Sequence, residues 1–360
     1  MNGEVTYFYA FDVGNEILPA RLGLVLGHRP EPLKFHLKHS APKDVAFQPP
    51  LTVVPGGLNL KLNGRTVVSS VHIYHVGVVS IGFRVPFTHM DVNGLLPLHR
   101  PILDDNRPLD AAARAICDDV RRQVADAVVQ LVENPTDPEA YTVFRITGLG
   151  DQAATDWLAS ERSQVAGLLC GIAPNRLSDA QIAETLRMQW SLEKDDLVVI
   201  DWDAALVVES HNPSDDVLFV LEVANLQLEE FRVMDRTIDR YLDRAYEDLE
   251  RRRTVRLFGS TATVLRHLRR FRVDLTKLAD EVTNITKFVG DWYLARVYLG
   301  ARERFHLDRW RRSIDERLGQ LDQLYSVVQS ELFERRLLWL EIIMAVFFAI
   351  DLLAILVFKR

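Results

Sequence analysis

Cysteine is nearly absent. The 360 residues hold two, Cys117 and Cys170, far apart and in no metal or redox spacing. A disulfide framework is excluded, and a reducing compartment is expected. An excess of positive charge is also missing. The formal net charge is −7, so the chain as a whole does not attract nucleic acid or anionic lipid, and any basic surface must be local. The N-terminus, MNGEVTYFYAFDVGNEI, has neither a basic start nor a continuous apolar stretch. Glu4, Asp12 and Glu16 precede the first basic residue, Arg21, which argues against a signal or transit peptide. No HExxH and no GxSxG occurs, so neither a zinc peptidase helix nor a nucleophile elbow is offered. Proline is missing from the C-terminal part of the chain: none follows Pro213.

What is present falls into two styles. An apolar fraction of 48% and a charged fraction of 26% describe an ordinary folded protein. Up to about residue 210 the pattern is mixed. VTYFYAFDV, ARLGLVLG, AYTVFRITGL and LVVIDWDAALVVE read as strands, and RTVVSSVHIYHVGVVSIGF as two strands turning near His75 and Gly77. Residues 108–133 predict a helix with Ile116, Val120, Val124, Ala127 and Leu131 on one face, and shorter helices follow near 153–170 and after Ser178. The expectation is an α+β domain over 1–210, large enough to bury its own core.

Beyond Pro213 helical periodicity takes over, with possible breaks at Gly259 and Gly290, and residues 211–336 predict a coiled-coil-like stalk. Its seam is Ile314, Leu318, Leu321, Tyr325, Val328 and Leu332, spaced alternately by four and three. The same seam equally suits a hairpin within one chain or a homo-oligomer. In the first long helix Arg232, Arg236, Arg240 and Arg244 form one row and Asp235, Asp239, Asp243 and Glu247 the next, a solvated face or a docking code. Arg266, Arg269, Arg270 and Arg272 form a possible basic surface for RNA or lipid headgroups.

The run 337–358 is long enough to cross a hydrocarbon core of about 30 Å at about 1.5 Å per residue. Its aliphatic and aromatic residues favour insertion by on the order of 7 kcal/mol, against a cost of roughly 3 kcal/mol for Asp351 and less for Glu341. The expectation is therefore a single C-terminal transmembrane helix on a tail-anchored protein of the cell (inner) membrane, with its bulk in the cytoplasm. Trp339, Glu341 and Asp351 are the candidates for anchoring and intramembrane contact.

GDWYLARVY (290–298), RFHLDRW (304–310) and RLLWLEIIMAVFFAIDLLAIL (336–356) resemble the C-terminal part of the family called "required for meiotic nuclear division". VHIYHVGVVSIGF and DDVLFVLEVANLQLEEF are similar to earlier segments of that family, so the likeness spans roughly 70–356. The family's segment at the entry to its span reads like Leu-Glu-Trp-Ile-Ile, whereas here Trp339 precedes Glu341. The resemblance implies one C-terminal span, large assemblies and, for mitochondrial members, support of organellar translation. It carries over no catalytic residue.

Local chemistry is sparse. Seven of ten histidines lie between His28 and His99, but His72 and His75 are three apart on a predicted strand and point to opposite faces. Asp201-Trp202-Asp203 has a DxD form, and Gly148-Leu149-Gly150-Asp151 follows a strand without the third glycine or the lysine of a phosphate loop. The reading is a non-enzymatic, self-associating scaffold at a membrane, with no cofactor, no metal and an unknown protein partner. An enzyme acting on phosphate or nucleic acid is the alternative, and an ion-conducting oligomer the lesser one.

Overall fold

A computed structural model describes residues 1–33, 49–55, 59–132, 137–150, 152–209, 214–251, 273 and 292–358, with the backbone alone at 244–251, 324–325, 327–329, 331–336 and 351–358. The strands are β1 (Asn2–Asp12), β2 (Glu16–Ile17), β3 (Glu31–Pro32), β4 (Leu51–Val53), β5 (Lys61–Leu62), β6 (Arg65–Thr66), β7 (Val68–Tyr74), β8 (Val78–Phe87), β9 (Val128–Val129), β10 (Glu139–Gly148), β11 (Gln189–Trp190), β12 (Asp196–Ile200) and β13 (Ala204–Glu209). The helices are α1 (Val92–Leu95), α2 (Leu109–Val124), α3 (Ala154–Ser160), α4 (Arg162–Cys170), α5 (Asp179–Thr185), α6 (Asp216–Arg251), α7 (Trp292–Arg304) and α8 (Leu307–Phe358).

Among the described residues nine strands join in one sheet, ordered β11-β12-β13-β10-β1-β8-β7-β4-β3. Every pairing is antiparallel except β10 with β13, which run parallel and are bridged by α3 to α5. Side chains alternate across it. Val5, Tyr7, Tyr9 and Phe11 of β1, with Ile81 and Phe83 of β8, enter one apolar core shared with Ala113, Ile116 and Val120 of α2 and Leu168 of α4. Thr6, Phe8 and Ala10 point the other way and are buried as well. A sheet buried on both faces reads as near-continuous apolar runs rather than strict alternation, as VVSIGF and ALVVE do.

The chain divides into two compact units, one of Met1–Val233 with Thr276–Trp310 and another of Met234–Leu275 with Arg311–Arg360. In the first, the start of α6 and all of α7 lie over the second sheet face: Asn225 donates to the Glu139 carbonyl at 3.1 Å, and the Phe305 ring packs edge-on against Tyr141 at 5.1 Å. In the second, Arg317 of α8 pairs with Asp235 and, at 2.9 Å, with Asp239 of α6. Those pairs set the two stretches side by side, with Ile238, Ile314, Leu318 and Leu321 buried. The first half of the predicted seam is thus used within the chain. The side chains of Tyr325, Val328 and Leu332 lie outside the described residues.

Three expectations are corrected. ARLGLVLG is not a strand but a 3-10 turn at Pro19–Arg21 and a tight loop, closed with Leu26 and Gly27 at positive φ. The helix predicted to 133 ends at Val124, because Val128–Val129 pair with Glu16–Ile17. The transmembrane helix is overturned too: among the described residues no helix is long and apolar enough to cross a membrane. The described side chains of this stretch run from Leu337 through Trp339 and Glu341 to Ile350. The side chain of Asp351 lies outside the described residues, as do Arg266, Arg269, Arg270 and Arg272.

Gly300 lets α7 close on the sheet edge. A Cβ there would lie 1.9 Å from the Trp190 ring, so the indole occupies the space of a missing methyl. Gly300→Ala is expected to lower unfolding free energy by about 1–3 kcal/mol through overpacking, despite alanine's better helix propensity. Urea denaturation followed by tryptophan fluorescence measures this, and a stabilised variant would contradict the packing described.

Candidate functional site

The sheet face beneath α6 and α7 is the chemically unusual part of the molecule, because polar side chains are buried there in three groups. The first is built on the turn between β12 and β13. Asp201 is 4% exposed and Arg304, at the end of α7, 3% exposed. Arg304 donates to Asp201 and, at 2.7 Å, to Glu184 of α5. The Asp201 carbonyl accepts from the Tyr141 hydroxyl at 3.0 Å, and Trp202 packs edge-on against His306 at 4.9 Å. The Cys170 thiol lies 3.1 Å from the Thr185 hydroxyl and 3.7 Å from Asp201. Burial and, after it, the neighbouring Asp201 charge push that thiol above its ordinary range, the Thr185 hydrogen bond acting in the opposite direction. A thiol kept protonated is a poor nucleophile. Cys117 is buried in the other core, where desolvation pushes its pKa up to about 12.

The second group joins β7 to α6. His72 Nδ1 lies 2.8 and 2.9 Å from the two Glu222 carboxylate oxygens. Tyr74, two residues on and so on the same sheet face, is wholly buried; desolvation first and Glu222 second raise its phenol far above the usual range. The third group gathers at one end of the sheet. Arg145 of β10 donates to Glu209 at 3.2 Å, Glu4 at 3.2 Å, Asp215 at 2.9 Å and the Ser214 carbonyl at 3.0 Å. Arg84 of β8 reaches Asp215 at 2.8 Å. Burial dominates at Glu209 and outweighs Arg145, with Asp215 adding repulsion, so its pKa rises to about 7.

These groups are far apart. His72 on β7 and Asp201 beside β12 are separated by β8, β1, β10 and β13, roughly 24 Å at the usual strand spacing. The DxD pair does not act together: Asp201 is buried against Arg304 while Asp203 is exposed. Gly150, at φ +71°, forms a turn after β10, and Asp151 lies outside the described residues, as do His36 and His39. His75 sits in the β7–β8 turn, where its carbonyl accepts from the Ile17 amide. Among the described residues no group of three or more His, Cys, Asp or Glu is placed to hold a metal ion. Arg232 pairs with Glu139 and Glu229, and Arg240 donates to Thr237 at 2.8 Å, so the predicted charge rows are divided among separate partners.

Sequence reasoning missed Arg304, Glu222 and Arg145 as partners. A signal was present for two of them. Arg304 continues the buried face of α7 through Tyr293, Val297 and Ala301, and Glu222 sits in a helical stretch that is apolar all round. An ionisable residue on a face that must be buried calls for a partner.

Removing one member of the Asp201–Arg304 pair leaves the other charge buried. Asp201→Ala is expected to cost about 3–5 kcal/mol, whereas Asp201→Leu combined with Arg304→Met should cost less than the sum of the two single changes. Chemical denaturation of the four proteins measures the coupling, and strict additivity would show that the pair contributes nothing as a pair.

The proteins similar to this chain are described only as uncharacterised. "Uncharacterized protein MJ0711" of Methanocaldococcus jannaschii is 19% identical over 197 residues, 54% of this chain and 59% of that relative. The chain therefore spans under two thirds of that relative's length. No solved structure matches. A family model described as "Uncharacterized protein MJ0711, N-terminal domain" matches residues 2–215, the whole sheet with the helices of its first face, and the chain belongs to that family.

Proposed function

We propose that this chain is a non-enzymatic scaffold that self-associates through the apolar part of α8. The observation that supports this reading is the state of residues 337–350. Eleven large apolar side chains stand there in solvent, from Leu337 at 45% to Phe348 at 72% exposed. Leu337, Leu338, Trp339 and Leu340 are consecutive, and at 100° per residue four in a row occupy every side of the helix. The exposed area is on the order of 1,000 Å², above the roughly 800 Å² that each partner of a stable complex buries. A single partner helix covers a stripe about 100° wide, so a dimer leaves most of the circumference in water and a bundle of three or more copies covers more of it.

Support for the non-enzymatic half of the reading comes from the pairing of Asp201 with Arg304, His72 with Glu222 and Arg145 with three carboxylates. Kinship with the "required for meiotic nuclear division" family belongs to the same proposal. What supports it is the shared order of segments, from VHIYHVGVVSIGF through GDWYLARVY to LWLEII, and that family's large assemblies.

Light scattering coupled to size exclusion on the full chain in detergent-free buffer tests the proposal. Oligomers of three or more are expected, and Leu340→Glu with Phe347→Glu should shift them to monomer. A wild-type chain that is monomeric at every concentration, or one that floats with phospholipid vesicles and never self-associates, would overturn it.

A further inference from the structure

The cluster around Arg145 lies where the chain passes from β13 into α6. Its geometry makes it a fastening on the start of that helix. The Ser214 carbonyl accepts from Arg145 at 3.0 Å while the Ser214 amide donates to Glu209, and Asp215 is held by Arg145 at 2.9 Å and by Arg84 at 2.8 Å. The last sheet residue and the first residues before α6 are thus clamped by one guanidinium.

Counting charge shows that the clamp is unbalanced. Among the described residues Arg145 and Arg84 face Glu4, Glu209 and Asp215, two positive charges against three negative ones. A further carboxylate, Asp196 on β12, is the cross-strand partner of Glu209, though it is occupied by the Leu192 and Glu193 amides at 2.6 and 3.0 Å. On α6, Glu222 adds a negative field at Arg84. Among the three matched acids Glu209 has the most buried side chain and a single guanidinium partner, whereas Asp215 has two and is more than half exposed. Excess negative charge in a low-dielectric site is relieved by binding a proton at the acid least well compensated.

We propose that Glu209 makes the attachment of α6 to the sheet pH-graded, with the clamp closed when Glu209 carries a proton and progressively opened when it does not. The sign follows from linkage. An opened clamp returns Glu209 to water and to an ordinary carboxylate, so the closed form binds the proton more tightly. Its contribution is complete in acid, at and below the ordinary carboxylate range, and is lost as pH rises through about 7, the value to which burial raises Glu209. Ionised Glu209 also competes with Asp215 for Arg145. Opening releases the stretch of α6 that carries Glu222, the partner of His72.

Amide hydrogen exchange of residues 214–222 in the full chain, corrected for intrinsic base catalysis, tests this between pH 6 and pH 8. Opening of the wild-type segment is expected to increase about tenfold over that range, as the ratio of proton affinities requires. Glu209→Gln should abolish the increase and hold protection at its low-pH level. Asp215→Asn, which removes the neighbouring charge, should reduce the increase and serves if the first variant does not fold. Wild-type exchange that is flat with pH, or a pH dependence that survives in Glu209→Gln unchanged, overturns the proposal.

Discussion

A nine-stranded sheet that is apolar on both faces has to be covered on both, and everything else in the body of this protein answers to that requirement. The first face is closed by helices that lie between the strands in the chain, α1 to α5. The second is closed by α6 and α7, which come after the last strand. The family match ends at residue 215, one residue before α6 begins. The matched region therefore holds the complete sheet but not the helices that keep water from its second face. Phe8, Val143 and Val207 would be wet without them. In physical terms the domain extends beyond the shared sequence.

The second face is also where the polar residues are. Buried ion pairs add little net stability, since the desolvation of both members offsets their attraction, but they penalise every arrangement that separates them. The Asp201–Arg304 ion pair and the His72–Glu222 hydrogen bond both penalise displacement, toward opposite ends of the sheet. An apolar helix can slide on an apolar sheet at small cost. One that carries a glutamate to a histidine on β7 cannot slide without leaving both unsatisfied. In the Asp201-Trp202-Asp203 motif, Asp201 is accordingly part of a structural corner, held by Arg304 and by the Tyr141 hydroxyl on its carbonyl.

The second unit works on different physics. Where α6 and α8 run side by side, Arg317 reads Asp235 and Asp239 across a buried Ile238, Ile314, Leu318 and Leu321. Further along α8 apolar side chains face solvent in all directions, and there the only way to lower the free energy is to bring apolar surface from elsewhere. The first unit buries its apolar side chains within itself, whereas the described side chains of 337–350 in the second are exposed.

By itself the sequence determined what is local. The β7–β8 turn was legible from His75 and Gly77, β1 and β10 from dense β-branched and aromatic runs, and the start of α5 from Ser178, whose hydroxyl caps the Gln181 amide. The change of style after Pro213 marked the onset of long helices. What only the tertiary structure decided is non-local. Val128–Val129 left the helical pattern because Glu16–Ile17 offered a strand partner, and ARLGLVLG curled into a loop although its residues suit a strand. The span expected in α8 was not upheld among the described residues. The strand order, the parallel pairing of β10 with β13, and the partners of Arg145, Asp201 and His72 were invisible in one dimension. A hydrogen bond or ion pair between residues 150 apart leaves no periodicity behind it, because its geometry exists only once the sheet has brought the two ends together.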